Sequence, residues 1–352
     1  VKTGVQWANH YLKRLDFPIK SGNDDRQDLS TFYENINDGR EKMSVKEIRN
    51  ISVIGLGLMG TPISTLLMKA GYEVAGFDIV KKQMSSLAPL GLKPARSAKE
   101  AAREADLILL SLPHWDAVRE AVEGEDGILA GARKGQIVID TSTSPPWESK
   151  AMAGRLAKKG IEWMDVPISG SSAQARLGNM VFMAGGKKSV FERIKPVLDR
   201  IGKKTVYVGK NGGGAMLKLV VNHILYLNEA AAIEGMALGL NAGLDPGIMF
   251  DVITSGAASS DLIMARGKDM LAGNFEPKGP VVLAVKDLGL SLECAKKLGV
   301  VLPVGTLYLQ FLLKAQYNGW EREDATIVMK IYQQLAERAD GAKKLALERK
   351  GK

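Results

Sequence analysis

The sequence predicts an α/β half built on a doubly wound parallel sheet, followed by an all-α half reached through one long helix. Three observations carry this. From residue 50 to residue 166, short apolar runs rich in β-branched residues alternate with segments of helical spacing. That alternation implies parallel strands joined by crossover helices. The first run enters Gly55-Leu56-Gly57-Leu58-Met59-Gly60, a glycine-rich turn set between a strand and a helix. After Leu240 no strand-like alternation remains, and the apolar repeats have helical spacing.

At 352 residues about two domains are expected, with ample length for a core. The divisions read as a polar N-terminal extension (1–48), a nucleotide-binding domain (49–211), a helical domain (212–338) and a basic tail (339–352). Within the extension, Gln6 to Leu15 has the spacing of a short helix and the remainder reads as linker. Met43 precedes the first strand, so residues 1–42 also read as an upstream extension of the reading frame. A native N-terminus at Met43 or Ser44 supports that reading, and one at Val1 refutes it.

Composition narrows the function. The chain is 45% hydrophobic and 25% charged, as in ordinary soluble proteins. A single cysteine, Cys294, excludes an internal disulfide framework and a cysteine-based zinc site. His10, His114 and His223 are too widely spaced to suggest a metal centre, so none is expected. The net charge of +9 is diffuse: residues 1–50 hold nine Lys/Arg against eight Asp/Glu, and residues 337–352 hold six against three. Such an excess fits a small anionic substrate better than a nucleic-acid groove. Residues 1–45 lack the apolar core of a signal peptide, and Asp24, Asp25 and Asp28 argue against a transit sequence. No apolar run approaches the ~20 residues of a membrane span. A cytoplasmic protein without a membrane or nucleic-acid partner is expected.

The elements follow in order. Asn50 to Ile54 is the first strand, and Thr61 to Ala70 the first helix. The intervening glycines permit the turn, the approach of a pyrophosphate and close helix–strand packing. Phosphates there meet free N–H groups and the positive end of the helix dipole. A second strand, Glu73 to Phe77, ends in Asp78, placed to bind the 2′-hydroxyl of an adenosine ribose. Its charge would repel a 2′-phosphate, so NAD is expected; Lys81 and Lys82 leave NADP as the alternative.

Alternation continues with a helix at Ser97 to Glu104, a buried strand at Asp106 to Leu112 and a helix at Ala117 to Val122. Gln136 to Asp140 is a strand, Pro146 to Lys159 a helix and Ile161 to Val166 a strand. Ligands of doubly wound sheets bind beyond the carboxyl ends of the strands, where Leu112, Pro113, Ser142 and Thr143 fall. Asp165-Val166-Pro167-Ile168-Ser169-Gly170-Ser171-Ser172 leaves its strand into a small-residue loop. There the Ser169 hydroxyl and the amides around Gly170 are suited to cradling a carboxylate. Strand-like runs at Met180 to Met183 and Thr205 to Val208 lead to Gly212.

Gly212-Gly-Gly-Ala-Met-Leu-Lys-Leu-Val-Val-Asn222 opens a helix that runs to about Asn241. Between Ala215 and Asn228 its only charged side chain is Lys218. A helix apolar nearly all round is a buried helix. Its lysine is either desolvated, with the lowered pKa that suits proton transfer near neutral pH, or snorkels to water. Asn222 lies on the same face. Further helices are read at Asp245 to Thr254, Leu262 to Leu271, Leu283 to Leu298, Pro303 to Tyr317 and Asp324 to Glu337. Small residues along the long helix (Ala230, Ala231, Ala232, Gly235, Ala237, Gly239) suit close approach of another helix, in a dimer or within one chain.

Four motifs now stand in order: Gly55-Leu-Gly-Leu-Met-Gly60, Asp165-Val-Pro-Ile-Ser-Gly170, Gly212 to Asn222, and Lys286-Asp-Leu-Gly-Leu290. Over residues 50–335 they resemble the β-hydroxyacid dehydrogenase family, which includes 3-hydroxyisobutyrate dehydrogenase and tartronate semialdehyde reductase. The resemblance implies a Rossmann-type domain joined by the long helix to an all-helical domain, with the active site between them. It implies Lys218 as catalytic acid/base with Asn222 beside it, and Ser169, Gly170 and Ser171 as the substrate-carboxylate loop. It also implies Thr143 and Lys286 at the nicotinamide end of the cofactor. A homodimer or homotetramer is expected. Without it, Lys286 reads as a surface lysine. Two features depart from the family pattern: Ser171 replaces a glycine, and His114-Trp115 after Pro113 is unusual. The expected reaction is NAD-linked oxidation of a short β-hydroxy acid. Imine reduction and a non-catalytic dinucleotide-binding scaffold are the rivals, and the Lys218/Asn222 pair argues against both.

Overall fold

The central strands are buried on both faces. In β1 (Asn50–Ile54), Ile51, Ser52, Val53 and Ile54 are buried, as is every residue of β4 (Leu107–Leu110) and β5 (Ile137–Asp140). Continuous apolar runs are what parallel strands covered by helices on both sides require. Because side chains alternate across a strand, Ile51, Val53, Leu107, Leu109, Ile137 and Ile139 enter one core while Ile54, Ile108, Leu110 and Val138 enter another on the opposite face.

In this computed structural model residues 47–336 are described. The Gln6–Leu15 helix, nearly all of the expected extension and the basic tail lie outside them. Ile48, the last residue of that extension, is buried in the first core.

The other strands are β2 (Glu73–Phe77), β3 (Lys93–Pro94), β6 (Glu162–Asp165), β7 (Ile168–Ser169), β8 (Val181–Gly185) and β9 (Lys204–Gly209). Their order is β3-β2-β1-β4-β5-β6-β8, with β9 on the far side of β8. Strands β1 to β6 run parallel, as expected. Beyond β6 the sheet is mixed, since β8 runs antiparallel to β6 and β7. Strand β7 pairs with β8 on the same side as β6, and only eleven residues (170–180), with the short α7 (Ser172–Arg176) among them, intervene before β8. A parallel return needs a crossover of a dozen residues or more.

From β8 to β9 the chain does make such a crossover, through α8 (Lys188–Ile201), a helix the sequence reading does not assign. Its buried residues Val190, Phe191, Ile194, Val197, Leu198 and Ile201 have clear helical spacing. Pro196 within it reads as a breaker, which masks that signal. Helices α1 (Gly60–Lys69), α2 (Lys81–Leu87), α3 (Ala98–Ala102), α4 (Trp115–Glu123), α5 (Ile128–Gly131) and α6 (Pro146–Ala157) complete this half.

Helix α9 (Gly213–Asn241) follows, 29 residues and so ~43 Å long. It packs on β6, β7, β8 and β9 and also on the helices beyond it. Those are α10 (Pro246–Ser255), α11 (Asp261–Ala272), α12 (Val281–Leu298) and α13 (Pro303–Tyr317). A 3₁₀ turn (Ala325–Ile327) precedes a last helix, α14, from residue 328 to the end of the described chain. Side chains of Asp245 and Ser260 cap α10 and α11, and left-handed Gly273 and Gly299 end α11 and α12. Ile233, Met236, Leu288 and Leu312 lie in a third core formed by these helices. Among the described residues no helix is long and apolar enough to cross a membrane.

Candidate active site

The glycine-rich turn is built by sterics. Gly55 has φ +90, and a Cβ there would stand 2.3 Å from the Ser111 carbonyl oxygen. One on Gly60 would stand 1.8 Å from the Gly55 oxygen. Both glycines therefore let the turn and α1 press against β4. Gly57 differs, since its Cβ would meet nothing within 4 Å. The turn thus leaves an open cradle over the N-terminus of α1, beside exposed Leu58 and half-buried Met59. Asp78, at the end of β2, accepts the Leu56 N–H at 2.7 Å and the Val80 N–H at 2.8 Å. It ties the turn to β2 and places one carboxylate at the rim. An open cradle at a helix N-terminus with an acid at its edge fits a dinucleotide.

The next strand ends are joined by hydrogen bonds. The Leu112 N–H donates to the Ser142 Oγ at 3.0 Å, linking β4 to β5. Asp140 accepts from the Ser142 N–H at 2.9 Å and the Ser144 hydroxyl at 2.6 Å, which shapes the loop carrying half-buried Thr143. Burial raises the Asp140 carboxyl above the usual range, against these hydrogen bonds and the Lys286 charge.

Asp165 explains why a long apolar helix can begin inside the protein. Its carboxylate accepts the Gly212 N–H at 2.7 Å and the Ala215 N–H at 2.8 Å, satisfying otherwise orphaned donors of α9. Burial pushes its pKa up to about 6, opposed by those same bonds. The Asn211 amide adds a bond to the Trp163 oxygen at 2.8 Å.

Lys218 follows less than two turns into α9, half-buried. Desolvation lowers its pKa; the Asp287 carboxylate opposes that, and Lys286 adds to the lowering. Asn222 is buried, and its Nδ2 donates to Asp287 Oδ2 at 2.7 Å. The Tyr226 hydroxyl reaches the same oxygen at 3.4 Å. Lys286 Nζ donates to the Pro113 oxygen at 2.8 Å and stands 3.1 Å from Asp287 Oδ1. That contact crosses from α12 to the end of β4. Lys218, Asn222, Lys286, Pro113, Leu112 and Ser142 are thus linked through bonds and charges at the carboxyl edge of the sheet.

Ser169, half-buried, pairs with Val181 in β7, against which α9 packs. Gly170 has φ +144, a conformation that favours glycine. The Ser171 hydroxyl accepts the Gln174 N–H at 3.3 Å, and the Gln174 side chain accepts the Ser171 N–H at 2.8 Å. Ser171 therefore caps α7, and its hydroxyl, which accepts there, keeps its O–H as a donor. His114 also serves as a cap, its Nδ1 accepting the Ala117 N–H at 3.1 Å at the start of α4.

Asp287 and Tyr226 are the site residues that sequence reasoning missed. Asp287 stood in the fourth motif, but nothing in the sequence pairs it with Asn222 across 65 positions. Among the described residues no group of three or more His, Cys, Asp or Glu is arranged to hold a metal ion.

Comparison with known proteins extends this geometry. Residues 50–209 match the family model described as the NAD binding domain of 6-phosphogluconate dehydrogenase. Residues 212–332 match that described as NAD-binding of NADP-dependent 3-hydroxyisobutyrate dehydrogenase. The chain is 34% identical to 2-(hydroxymethyl)glutarate dehydrogenase of Eubacterium barkeri, over 81% of this chain and 95% of that one. It is 32% identical to 2-hydroxy-3-oxopropionate reductase of Escherichia coli, over 81% and 98%. The crystal structure of a 3-hydroxyisobutyrate dehydrogenase from Salmonella typhimurium superimposes with a TM-score of 0.75 at 30% identity, covering 80% of this chain and 99% of that one. The glycine cradle and these relatives agree on an oxidoreductase that uses NAD, or NADP, on CH–OH groups. The chain belongs to the β-hydroxyacid dehydrogenase family.

Proposed function

We propose that the chain interconverts a short β-hydroxy acid and its semialdehyde or keto acid, with Lys218 as acid/base. The observation that carries this is Lys218 itself. It is a half-buried lysine with a lowered pKa, beside Asn222 and linked by charge to Lys286 at the strand ends. The bound nicotinamide supplies the hydride acceptor or donor. In oxidation Lys218 takes the hydroxyl proton, and in reduction it returns that proton to the same oxygen. Ser169 and the Gly170 amide bind the substrate carboxylate, while Asn222 orients the reacting oxygen or the lysine. Leu112, Pro113, Ser142, Thr143 and Lys286 line the nicotinamide end. Asp78 meets the adenosine ribose, and its charge favours NAD over NADP.

We also propose the domain division at residue 212, so that α9 begins the helical domain. The exposed apolar residues Val220, Ile224 and Leu238 on α9, with Val304 and Leu307 on α13, support a homodimer or homotetramer.

The test is NADH formation, with NADP beside NAD, against 3-hydroxyisobutyrate, glycerate, 4-hydroxybutyrate, L-serine, L-threonate, 2-(hydroxymethyl)glutarate and a sulfonated analogue. Several of these are named for relatives, and all but the last share a carboxylate and a hydroxyl. Lys218→Ala should lower kcat by about 10²-fold or more, with NADH affinity within about threefold. Retention of most turnover removes Lys218 from the mechanism.

A further inference from the structure

On α9, Lys218, Asn222 and Tyr226 recur every four residues and form a polar stripe on one face, in a stretch from Ala215 to Leu227 that is otherwise apolar except for His223. Asp287 of α12 faces this stripe and is 7% exposed. Its Oδ2 is the acceptor for both the Asn222 amide and the Tyr226 hydroxyl. Its Oδ1 stands 3.1 Å from Lys286 Nζ without hydrogen-bond geometry and has no other partner among the described residues.

The two ends of an asparagine amide differ, one donating and the other accepting, and a carboxylate only accepts. Facing Asp287, the Asn222 side chain must therefore turn Nδ2 towards α12 and Oδ1 away from it. Asn222 thus offers an acceptor to the Lys218 ammonium or to a reacting hydroxyl, and Asp287 is what sets that polarity.

We infer that Asp287 is the positioning residue of this site, orienting Asn222 as an acceptor and setting a carboxylate against the face of α9 that carries Lys218. The inference rests on the acid/base reading of Lys218. The groups that meet here are Lys218 and Tyr226 from α9 and Lys286 from α12. Asp140 at the end of β5 is coupled to Lys286, and Glu229 and Arg266 act on Tyr226 from the helical core. Asp287 is thus the carboxylate common to both ammonium groups. Burial and Lys286 press Lys218 towards its neutral form, and Asp287 alone opposes them.

The test measures Lys218 directly. Trace acetylation of the full chain with acetic anhydride over a pH series, read by peptide mass spectrometry, reports the neutral fraction of Lys218 without any substrate. Asp287→Asn keeps the shape and removes the charge. Its Lys218 labelling midpoint should fall by about one pH unit. With NAD and the acid that turns over in the panel, kcat should fall about tenfold to hundredfold, while KM for NAD stays within about threefold. An unmoved midpoint overturns the inference, as does a kcat within about twofold of wild type. If Asp287→Asn does not fold, Asp287→Glu decides. With the charge retained but displaced, it should keep the midpoint and lose about tenfold in kcat; full kcat overturns the inference. Lys218→Ala run alongside separates the two readings. Its retained turnover removes the acid/base assignment, whereas an inactive Lys218→Ala beside an unaffected Asp287→Asn removes only this one.

Discussion

The start of α9 meets the ends of β6 and β8 backbone to backbone, and Gly214→Ala tests whether that approach sets the site. A Cβ on Gly214 would lie 2.2 Å from the Met183 oxygen, 2.6 Å from the Asp165 oxygen and 3.0 Å from the Gly185 nitrogen. All three are main-chain atoms, so no change of rotamer relieves the overlap. To restore van der Waals contact the helix must retreat by roughly 1 Å. The bonds from Gly212 and Ala215 to Asp165, 2.7 and 2.8 Å long, would then pass beyond hydrogen-bonding distance. Each bond to a charged group contributes about 1.5–3 kcal/mol. Replacing glycine by alanine in a helix returns about 1 kcal/mol. The net loss is about 3 kcal/mol, which in urea moves the unfolding midpoint down by about 1 M. Gly213→Ala is the control, because its Cβ would meet only Val208, the nearest atom at 3.5 Å, an ordinary contact. It should lie within about 1 kcal/mol of wild type. Unfolding followed by tryptophan fluorescence reads both, and turnover should fall in Gly214→Ala because Lys218 is one turn further on. Equal midpoints for Gly214→Ala and wild type would refute the argument, as would an equal loss in Gly213→Ala.

Two further outcomes are expected. Gly57→Ala should leave the unfolding midpoint unchanged, since its Cβ enters open space. It should weaken NADH binding, followed by fluorescence titration, by about tenfold or more, because the same space must admit the pyrophosphate; undiminished binding would show that the phosphates lie elsewhere. Burial pushes Glu229 up to about 7, against the pull of Arg266, whose Nη1 stands 3.2 Å away, and of Tyr308, whose hydroxyl donates to it at 2.7 Å. The folded state therefore holds this proton more tightly than the unfolded chain. Its contribution to stability is full below about pH 4.5 and is lost as pH rises through 7. The stability difference between wild type and Glu229→Gln should accordingly shrink from pH 5 to pH 8, by an amount on the order of 2–3 kcal/mol. Denaturant titrations across that range measure it, and a constant difference contradicts the assignment.

Sequence patterning reached far into this fold because most of its elements are local. Apolar runs bounded by turn residues marked β1, β2, β4, β5 and β6, and helical spacing marked α9 to α13 within a residue or two. The two-residue strands β3 and β7 carry too few side chains to show a period, and the five-residue α7 is little more than one helical turn. In α8 the period was present but interrupted by Pro196. The reversed direction of β8 left no mark in the chain, because strand direction depends on the length and path of the connection rather than on strand composition.

The site divides along the same line. Glycines required by backbone geometry, an acid at a strand end and a lone lysine in an apolar helix are features of composition and spacing. Residue identity alone therefore pointed to Gly55, Gly57, Gly60, Asp78 and Lys218. Partnership is different. That Asp165 caps α9 across 47 residues and that Asp287 takes the Asn222 amide across 65 were decided by tertiary packing. A buried polar group must find a partner, and which partner it finds is set by the elements that folding brings against it.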